Sequence, residues 1–247
     1  MNKISAVVIA KNAEGLIAEC LETIKFCDEV IVIDSCSNDL TIQVSEKLGA
    51  RVFEISGADF SQMRNLGLQK AIGEWILYVD TDERVSRELK SSIKDQISKT
   101  DEFAAFKIKR KNFYLGGHEW PYIEKLERLF RKDKLKGWYG KIHESPTVEG
   151  KIGILDGFLL HYTHRDLSSM LNKTIEWSET EAELRFKNNH PKMSFWRFPR
   201  VMLTAFFDSY IKQRGYKAGV AGLIESIYQS FSIFITYARL WELQNKK

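Results

Sequence analysis

Four short runs of strand-forming residues alternate with helical stretches over the first 80 residues, and this alternation constrains the fold more than any other feature. The runs at 4–10 and 29–34 have the composition of strands buried on both faces of a parallel sheet. The stretches between them carry apolar residues at helical spacing. Strands and helices that alternate in this way predict an α/β domain with right-handed crossovers. The strands are predicted at 4–10, 29–34, 51–55 and 74–79, and the helices at 12–25, 40–48 and 60–72.

The pattern changes after residue 85. A polar amphipathic helix is predicted first, and the alternation of apolar and basic residues that follows is typical of antiparallel or edge strands. From residue 166 onward the pattern is helical and rich in aromatic residues, so we place a boundary near residue 165. The helix is predicted at 86–97, and the strands at 103–111, 126–131 and 153–162.

The composition excludes several classes of protein. Hydrophobic residues make up 44% and charged residues 28% of the 247 residues, which is globular rather than disordered. The net charge of +4 is small for a protein that coats nucleic acid. Cys20, Cys27 and Cys36 form neither a CxxC pair nor an even disulfide framework, so we expect a reducing, cytosolic compartment. The N-terminal apolar run is too short for a signal peptide, and the window 218–238 falls short of a transmembrane helix.

Polar side chains follow the predicted strands at the sheet edge where α/β proteins bind ligands. The sharpest group is Asp80-Thr81-Asp82, directly after an apolar strand. Two carboxylates on alternate residues can hold a hard divalent cation, whose other positions take water and phosphate oxygens. The alternative is that Asp80 or Asp82 caps the helix that begins near Ser86.

Phosphohydrolases of the haloacid dehalogenase type use a similar short motif. Their nucleophile is an aspartate at the end of a strand, which here would be Asp80. Their motif continues with Thr or Val where this chain has Arg84, and here the motif follows three earlier strands. We therefore disfavour that class, and we keep it open together with a non-catalytic nucleotide-binding module.

Three segments of the N-terminal third belong together: AVVIAKNAEGLIAECLETI, EVIVIDSCSNDLT and FSQMRNLGLQKAIGEWILYVDTDE. Over residues 4–85 they resemble the donor-binding half of family 2 glycosyltransferases. The resemblance implies the A-type fold, a Rossmann-like, mostly parallel sheet with helices on both faces. It also implies a nucleotide-diphosphate sugar as donor, with a UDP-sugar expected, and a divalent cation, Mg²⁺ or Mn²⁺.

The resemblance assigns roles to the residues at the strand ends. Asp82 is expected to bind the metal that bridges the diphosphate, and Asp34 to contact the base or ribose. Most members have two acidic residues after the asparagine, whereas here the first is Ala13 and only Glu14 remains. The rest of the implied nucleotide site comprises Ala10, Lys11, Asn12, Asp80 and Thr81.

Arg64 and Asn65, one helix before the Asp-x-Asp strand, fit the same site. A guanidinium can clamp phosphate oxygens with two parallel hydrogen bonds, so Arg64 is expected to assist the departure of the diphosphate. The alternative is a surface arginine that pairs with Asp59 or Glu74.

The segment GWYGKIHE, with RLFR upstream, resembles the bacterial branch that adds a sugar to the lipopolysaccharide core. Inverting transfer needs a group that takes the proton of the acceptor hydroxyl. We expect Glu144 to be this base, with His143 orienting it or touching the diphosphate. The alternative is that Glu144 only pairs with Arg128 or Arg131.

His161, after a predicted strand, is a candidate third metal ligand. A lone histidine at a strand end is more often structural, and His164 competes for the role. We read residues 1–165 as a catalytic domain, with a donor half at 1–85 and an acceptor half at 86–165, followed by a helical, aromatic and basic region at 166–247.

Two further patterns concern the partners. Basic and aromatic residues cluster between 107 and 141, which favours an anionic, lipid-linked or phosphorylated saccharide acceptor over the default of a solvated surface. The C-terminal aromatic and basic helices indicate peripheral attachment to the cytoplasmic face of the inner membrane, a packed subdomain or a homodimer interface. We therefore expect a metal-dependent inverting enzyme that moves a hexose, with glucose from UDP-glucose as the expected donor, and that binds no nucleic acid.

Overall fold

The computed structural model describes residues 3–99, 102–140 and 144–246, which form two compact units. The first unit comprises the described residues of Met1–Lys111 and Glu124–His161. The second comprises those of Asn112–Ile123 and Tyr162–Lys247. It therefore takes in a segment from the middle of the chain, which a single boundary near residue 165 does not include.

The N-terminal part of the first unit is an alternating α/β arrangement. Three parallel pairings, β1 with β2, β1 with β4 and β2 with β3, give the order β3-β2-β1-β4. These elements confirm the predicted ones to within three residues at their ends. The strands are β1 (Ile4–Ala10), β2 (Glu29–Asp34), β3 (Arg51–Glu54) and β4 (Trp75–Asp80), and the helices are α1 (Glu14–Ile24), α2 (Thr41–Lys47) and α3 (Phe60–Lys70).

The sheet continues with antiparallel pairings, β4 with β7 and β5 with β10, to eight strands in the order β3-β2-β1-β4-β7-β6-β10-β5. A separate two-stranded sheet pairs β8 with β9. The short strands β5, β8 and β9 were not predicted, because three to five residues carry too little periodicity. The elements are β5 (Glu83–Val85), α4 (Arg87–Lys99), β6 (Phe103–Tyr114), β7 (His118–Arg131), β8 (Leu135–Tyr139), β9 (Ser145–Val148) and β10 (Lys151–Tyr162).

Both faces of the sheet are covered, which explains why β1 is buried at every position. Successive side chains of a strand point to opposite faces. Val8 accordingly joins the hydrophobic cluster that contains the apolar residues of α1 and α4, whereas Val7 joins the cluster on the other face with Met63 of α3 and Trp138 of β8. This confirms the predicted mixed, mostly parallel sheet with helices on both faces.

The second unit is largely helical, as the sequence predicts after residue 166. Its helices are α5 (Leu167–Lys187), α6 (Arg197–Phe207), which runs on into a π-helical turn (Asp208–Lys212), and α7 (Gly219–Asn245) after a 3₁₀ turn (Gly215–Ala218). α7 packs against both α5 and α6. A small core is formed by Ala182, Met193, Tyr237 and Leu240.

One stretch within the described residues, Gly215–Asn245, is long and apolar enough to cross a membrane by length and composition alone. The window 218–238, which the sequence places short of a convincing transmembrane helix, lies within this stretch of 31 residues. The cysteines are all free.

Candidate functional site

Two loops at the carboxyl ends of β1 and β2 are joined by hydrogen bonds. The backbone N–H of Asn12 donates to Oγ of Ser37 at 2.7 Å, and the side-chain oxygen of Asn12 accepts from the backbone N–H of Asn38 at 2.8 Å. Asn12 has a φ of 48°, a left-handed conformation that asparagine tolerates better than most residues. Asn12 therefore both forms the turn after β1 and bridges it to the next loop.

The first turn of α1 is capped by this neighbouring loop, since the residue before the helix, Ala13, has no side-chain acceptor. The backbone N–H of Ala13 donates to Oγ1 of Thr41 at 2.7 Å, and that of Glu14 to Oδ2 of Asp39 at 3.0 Å. The carboxylate of Glu14 accepts from the backbone N–H of Leu40 at 3.0 Å. Desolvation raises the pKa of Asp39, but the hydrogen bonds from Thr41 and Glu14 outweigh it and lower the pKa.

Asp34, expected to contact the base or ribose, is fully buried at the end of β2. Its two oxygens accept from the backbone N–H of Ser37 at 2.7 Å and from its hydroxyl at 2.6 Å. Because Asp34 is fully buried, contact with a nucleotide would require the loop to move, so in this conformation Asp34 shapes the loop. Ala10 is buried as well and its carbonyl accepts from Ser35, whereas Lys11 is exposed at the rim.

Asp80, at the end of β4, lies between two buried arginines. Nη2 of Arg64 donates to Oδ1 of Asp80 at 3.1 Å, and Nη2 of Arg128 donates to Oδ2 at 2.6 Å. Burial raises the pKa of Asp80, but the charges of Arg128 and Arg64 prevail and hold the pKa well below its usual range. With both oxygens bound to guanidiniums, Asp80 is not positioned as the nucleophile that the phosphohydrolase alternative requires.

The same arginines bind two further carboxylates. Arg128 and Arg110 donate to Oε1 of the fully buried Glu83 at 3.2 Å and 3.0 Å. Burial lowers the pKa of Arg128, but Asp80 and Glu83 outweigh it and raise the pKa. We call this group the Asp80 network, and its members are Arg64, Asp80, Glu83, Arg110, Arg128 and Glu144. Glu83 and Arg110 were not among the predicted site residues, because their only signal in the sequence is a charge beside or within a strand.

Glu144, the expected base, belongs to this network through Arg64. Nε of Arg64 donates to Oε1 of Glu144 at 2.9 Å, and the charge of Glu144 also contributes to raising the pKa of Arg128. Arg64 itself is only 4% exposed, which rules out a surface arginine paired with Asp59 or Glu74. His143 lies outside the described residues.

Arg64 is also enclosed by aromatic rings. Its guanidinium carbon lies 4.8 Å from the ring centre of Trp138 and 5.5 Å from that of Tyr78, within the range of cation–π attraction. Asn65 fixes Trp138, because its amide accepts from the Trp138 N–H at 2.8 Å and donates to the Trp138 carbonyl at 2.9 Å. Asn65, expected at the nucleotide, thus holds β8 in place. Trp138 is buried, whereas its neighbour Tyr139 is exposed.

Asp82 and His161 are brought together by strand pairing. β5 pairs with β10 so that His161 lies opposite Glu83, one residue after Asp82. Nε2 of His161 and Oδ2 of Asp82 are 3.1 Å apart. Within the described residues no group of three or more His, Cys, Asp or Glu side chains is arranged to hold a metal. The competing His164 instead contacts the buried carboxylate of Glu225 in the second unit, at 3.1 Å.

Thr81 contributes its carbonyl to the turn that carries Asp82. Nη1 of Arg84 donates to this carbonyl at 2.8 Å, and Nη2 of Arg84 donates to the Leu16 carbonyl at 3.0 Å. Arg84, the residue that departs from the phosphohydrolase motif, therefore ties the Asp-x-Asp turn to α1.

The basic residues of strands β6 to β8 do not form a free cationic surface. Most of them have acidic partners within 4 Å, which leaves less positive charge for an anionic acceptor than the sequence suggests. The ion pairs include Lys107 with Glu127, Lys109 with Asp156, Arg110 with Glu124, Arg131 with Asp133 and Lys136 with Glu149.

Comparison with known proteins adds a family and relatives. The family described as Glycosyl transferase family 2 matches residues 5–148. An uncharacterized glycosyltransferase of Rickettsia typhi is 29% identical, over 100% of this chain and 89% of that protein. The lipopolysaccharide core biosynthesis glycosyltransferase LpsC of Rhizobium meliloti is 22% identical, over 97% of this chain and 92% of that protein.

A solved structure agrees in fold. The mannosyltransferase PcManGT from Pyrobaculum calidifontis, in complex with GDP-Man and Mn²⁺, aligns with a TM-score of 0.56 at 13% identity. The alignment covers 98% of this chain and 88% of that chain. At this identity the likeness shows a shared fold.

We predict that Asp80→Asn destabilises the first unit in a pH-dependent way. At pH 7 the substitution leaves Arg64 and Arg128 without their shared anion, at a cost of about 3 kcal/mol. Because the pKa of Asp80 is lowered on folding, its stabilising contribution is complete above the pKa of the unfolded chain and is lost as the pH falls through the folded value. Urea unfolding followed by circular dichroism should show a gap between wild type and variant that narrows below about pH 4.

The matched control is Asp156→Asn, since the side chain of Asp156 is 83% exposed. Its unfolding should match that of wild type at every pH. A gap between wild type and Asp80→Asn that stays constant from neutral to acid pH would contradict the assignment of charge to Asp80.

Proposed function

The chain belongs to glycosyl transferase family 2, and from this premise we propose that it transfers a hexose, with inversion, from a nucleotide-diphosphate sugar to a saccharide acceptor. The proposal is supported by two groups of side chains at the carboxyl end of β4. One is the Asp82–His161 pair, and the other is Glu144 held by Arg64. The first has the ligand chemistry for a cation on a diphosphate, and the second has a carboxylate for an acceptor hydroxyl.

We propose that Asp82 and His161 hold a divalent cation, Mg²⁺ or Mn²⁺. A carboxylate oxygen and an imidazole nitrogen 3.1 Å apart suit such a cation, and two protein ligands leave positions for diphosphate oxygens and water. When bound, the cation would neutralise the charge that develops on the leaving diphosphate. The hydrogen-bonded loops around Asn12 and Ser37 would border the nucleotide, with Lys11, Asn12, Glu14, Asp34, Asp80 and Thr81 as the proposed lining.

Glu144 is the proposed general base. Its carboxylate is oriented by the Nε of Arg64 and would take the proton of the acceptor hydroxyl as that oxygen attacks the sugar, while the nucleoside diphosphate leaves from the opposite face. Arg64 donates a hydrogen bond from Nε to Glu144 and another from Nη2 to Asp80. Its Nη1 has no hydrogen-bond partner within the described part of the chain and is the nitrogen that could reach a phosphate oxygen.

The acceptor we propose is a lipid-linked saccharide such as the lipopolysaccharide core, and the donor is UDP-glucose. The name of the Rhizobium relative, which is 22% identical over 97% of this chain, supports the acceptor class. A lipid-linked acceptor is presented at a bilayer, so the proposed location is the cytoplasm, peripheral to the inner membrane.

We predict that Asp82→Ala and His161→Ala each weaken Mn²⁺-dependent binding of UDP by about tenfold or more, because each removes one of two protein ligands. Binding measured by calorimetry with and without Mn²⁺ tests this. Asp156→Ala, on the same strand as His161 but 83% exposed, is the control and should bind like wild type. Unchanged Mn²⁺-dependent affinity in both site variants would refute the metal assignment.

Glu144→Gln is expected to separate donor binding from chemistry. The amide keeps the shape of the side chain but cannot take a proton, so we expect wild-type affinity for UDP and turnover lower by about 10²–10⁴-fold. Release of the nucleoside diphosphate from each of a panel of nucleotide sugars measures the turnover and identifies the preferred donor. Glu149→Gln, 67% exposed, is the control. Turnover retained by Glu144→Gln would move the base elsewhere.

A further inference from the structure

We infer that the second unit binds the surface of an anionic lipid bilayer through one face of α6 and its π-helical turn. Three large apolar side chains on this continuous helical stretch are exposed to solvent, Leu203 by 69%, Phe207 by 51% and Ile211 by 44%, and so is Trp196, by 79%, at the residue before α6. The three helical residues are spaced four apart, which places them on one side of the helix, and Trp196 precedes Leu203 by seven residues. We call these four side chains the α6 face.

The neighbouring helix α7 exposes an apolar stripe of its own. The two helices are in contact, since Oγ of Ser230 donates to the Met202 carbonyl at 2.7 Å and the rings of Phe198 and Phe234 lie 5.8 Å apart. The stripe has helical spacing and comprises Val220, Leu223, Ile224, Ile227 and Phe231, each more than 40% exposed. Single apolar side chains are common on protein surfaces, whereas groups of them on two adjacent helices indicate an interaction site.

The charge of this part of the chain identifies the partner. Residues 192–224 contain six basic residues and one acidic residue, a net charge of +5, whereas the whole chain carries +4. An apolar helix face bordered by Lys and Arg is the pattern of helices that lie in the headgroup region of anionic membranes. Each basic residue near such a surface strengthens binding by about fivefold. The basic residues are Lys192, Arg197, Arg200, Lys212, Arg214 and Lys217.

A second copy of the chain fits this surface less well. A two-fold symmetric contact would bring the same basic residues of both copies together, and the cores of protein interfaces are depleted in lysine. Anionic headgroups neutralise this charge instead.

A spanning arrangement of α7 also fits less well, because polar contacts hold α7 inside the helical unit. Glu225 is 1% exposed and contacts His164, and the hydroxyl of Tyr228 lies 2.6 Å from that of Thr174 on α5. These contacts would have to be given up in a lipid-surrounded helix. The helical unit is therefore expected to lie on the bilayer rather than to cross it.

The test is co-sedimentation of the full chain with vesicles of phosphatidylcholine alone or mixed with phosphatidylglycerol, without nucleotide sugar. We expect binding to the anionic vesicles that falls by about tenfold or more at high salt or on the neutral vesicles. The pair Leu203→Glu and Phe207→Glu should weaken binding by about tenfold or more, and so should the pair Arg200→Glu and Lys217→Glu. Because no donor is present, failure here is distinct from failure of the transfer reaction.

Ile175→Glu is the matched control, since Ile175 is 59% exposed on α5 in the same unit. It should bind vesicles like wild type, and circular dichroism should show equal helix content in all variants. Binding that is indifferent to lipid charge and salt, or unchanged by Leu203→Glu with Phe207→Glu, would overturn the inference. So would a dimer that these substitutions convert to a monomer without any vesicle binding, or binding to anionic vesicles that a high-salt wash does not reverse.

Discussion

Two guanidiniums converge on the carboxylate of Asp80, and the arrangement of the first unit's site depends on this interaction. A buried charge is tolerated only when it is paired and hydrogen-bonded, so the buried Glu83, Arg64 and Arg128 require the opposite charges that contact them. Arg64 arrives from α3, Asp80 from the end of β4 and Arg128 from β7. The network therefore joins the parallel part of the sheet to its antiparallel continuation. The same guanidinium of Arg64 reaches Glu144, so the position of the proposed base is fixed by the charge balance of the core.

Strand pairing and loop hydrogen bonding complete the site. The register of β5 on β10 brings His161 to Asp82, and the loops after β1 and β2 exchange hydrogen bonds through Asn12. Several residues that are expected to contact a nucleotide instead make hydrogen bonds that hold parts of the protein in place. Asn65 holds Trp138 against Arg64, and Asp34 holds its own loop. In the second unit, by contrast, large apolar side chains of α6 remain exposed beside a concentration of positive charge.

The parallel half of the fold could be predicted from the local sequence pattern, because apolar runs and helical spacing are visible within short segments of the chain. Asp82 and His161, both named from the sequence as candidate metal ligands, lie 3.1 Å apart, and their role at a metal stays a prediction. What local pattern could not reveal are contacts set by register and long-range pairing: the partners of Arg64 and Glu144, the burial of Trp138, and the neutralisation of basic residues such as Lys109 by Asp156. β5 and β8 were not predicted because their three and five residues carry too little periodicity, and each is defined by its pairing with another strand.

A crystal structure of the full chain with UDP and Mn²⁺ shows directly whether Arg64 keeps its two carboxylate partners when the donor nucleotide is bound. We expect Arg64 still to bridge Asp80 and Glu144, and electron density for the cation to lie beside Asp82 and His161. Density that shows Arg64 turned away from both carboxylates onto the diphosphate, or the cation bound by Asp80 with Arg128 displaced, would contradict this expectation.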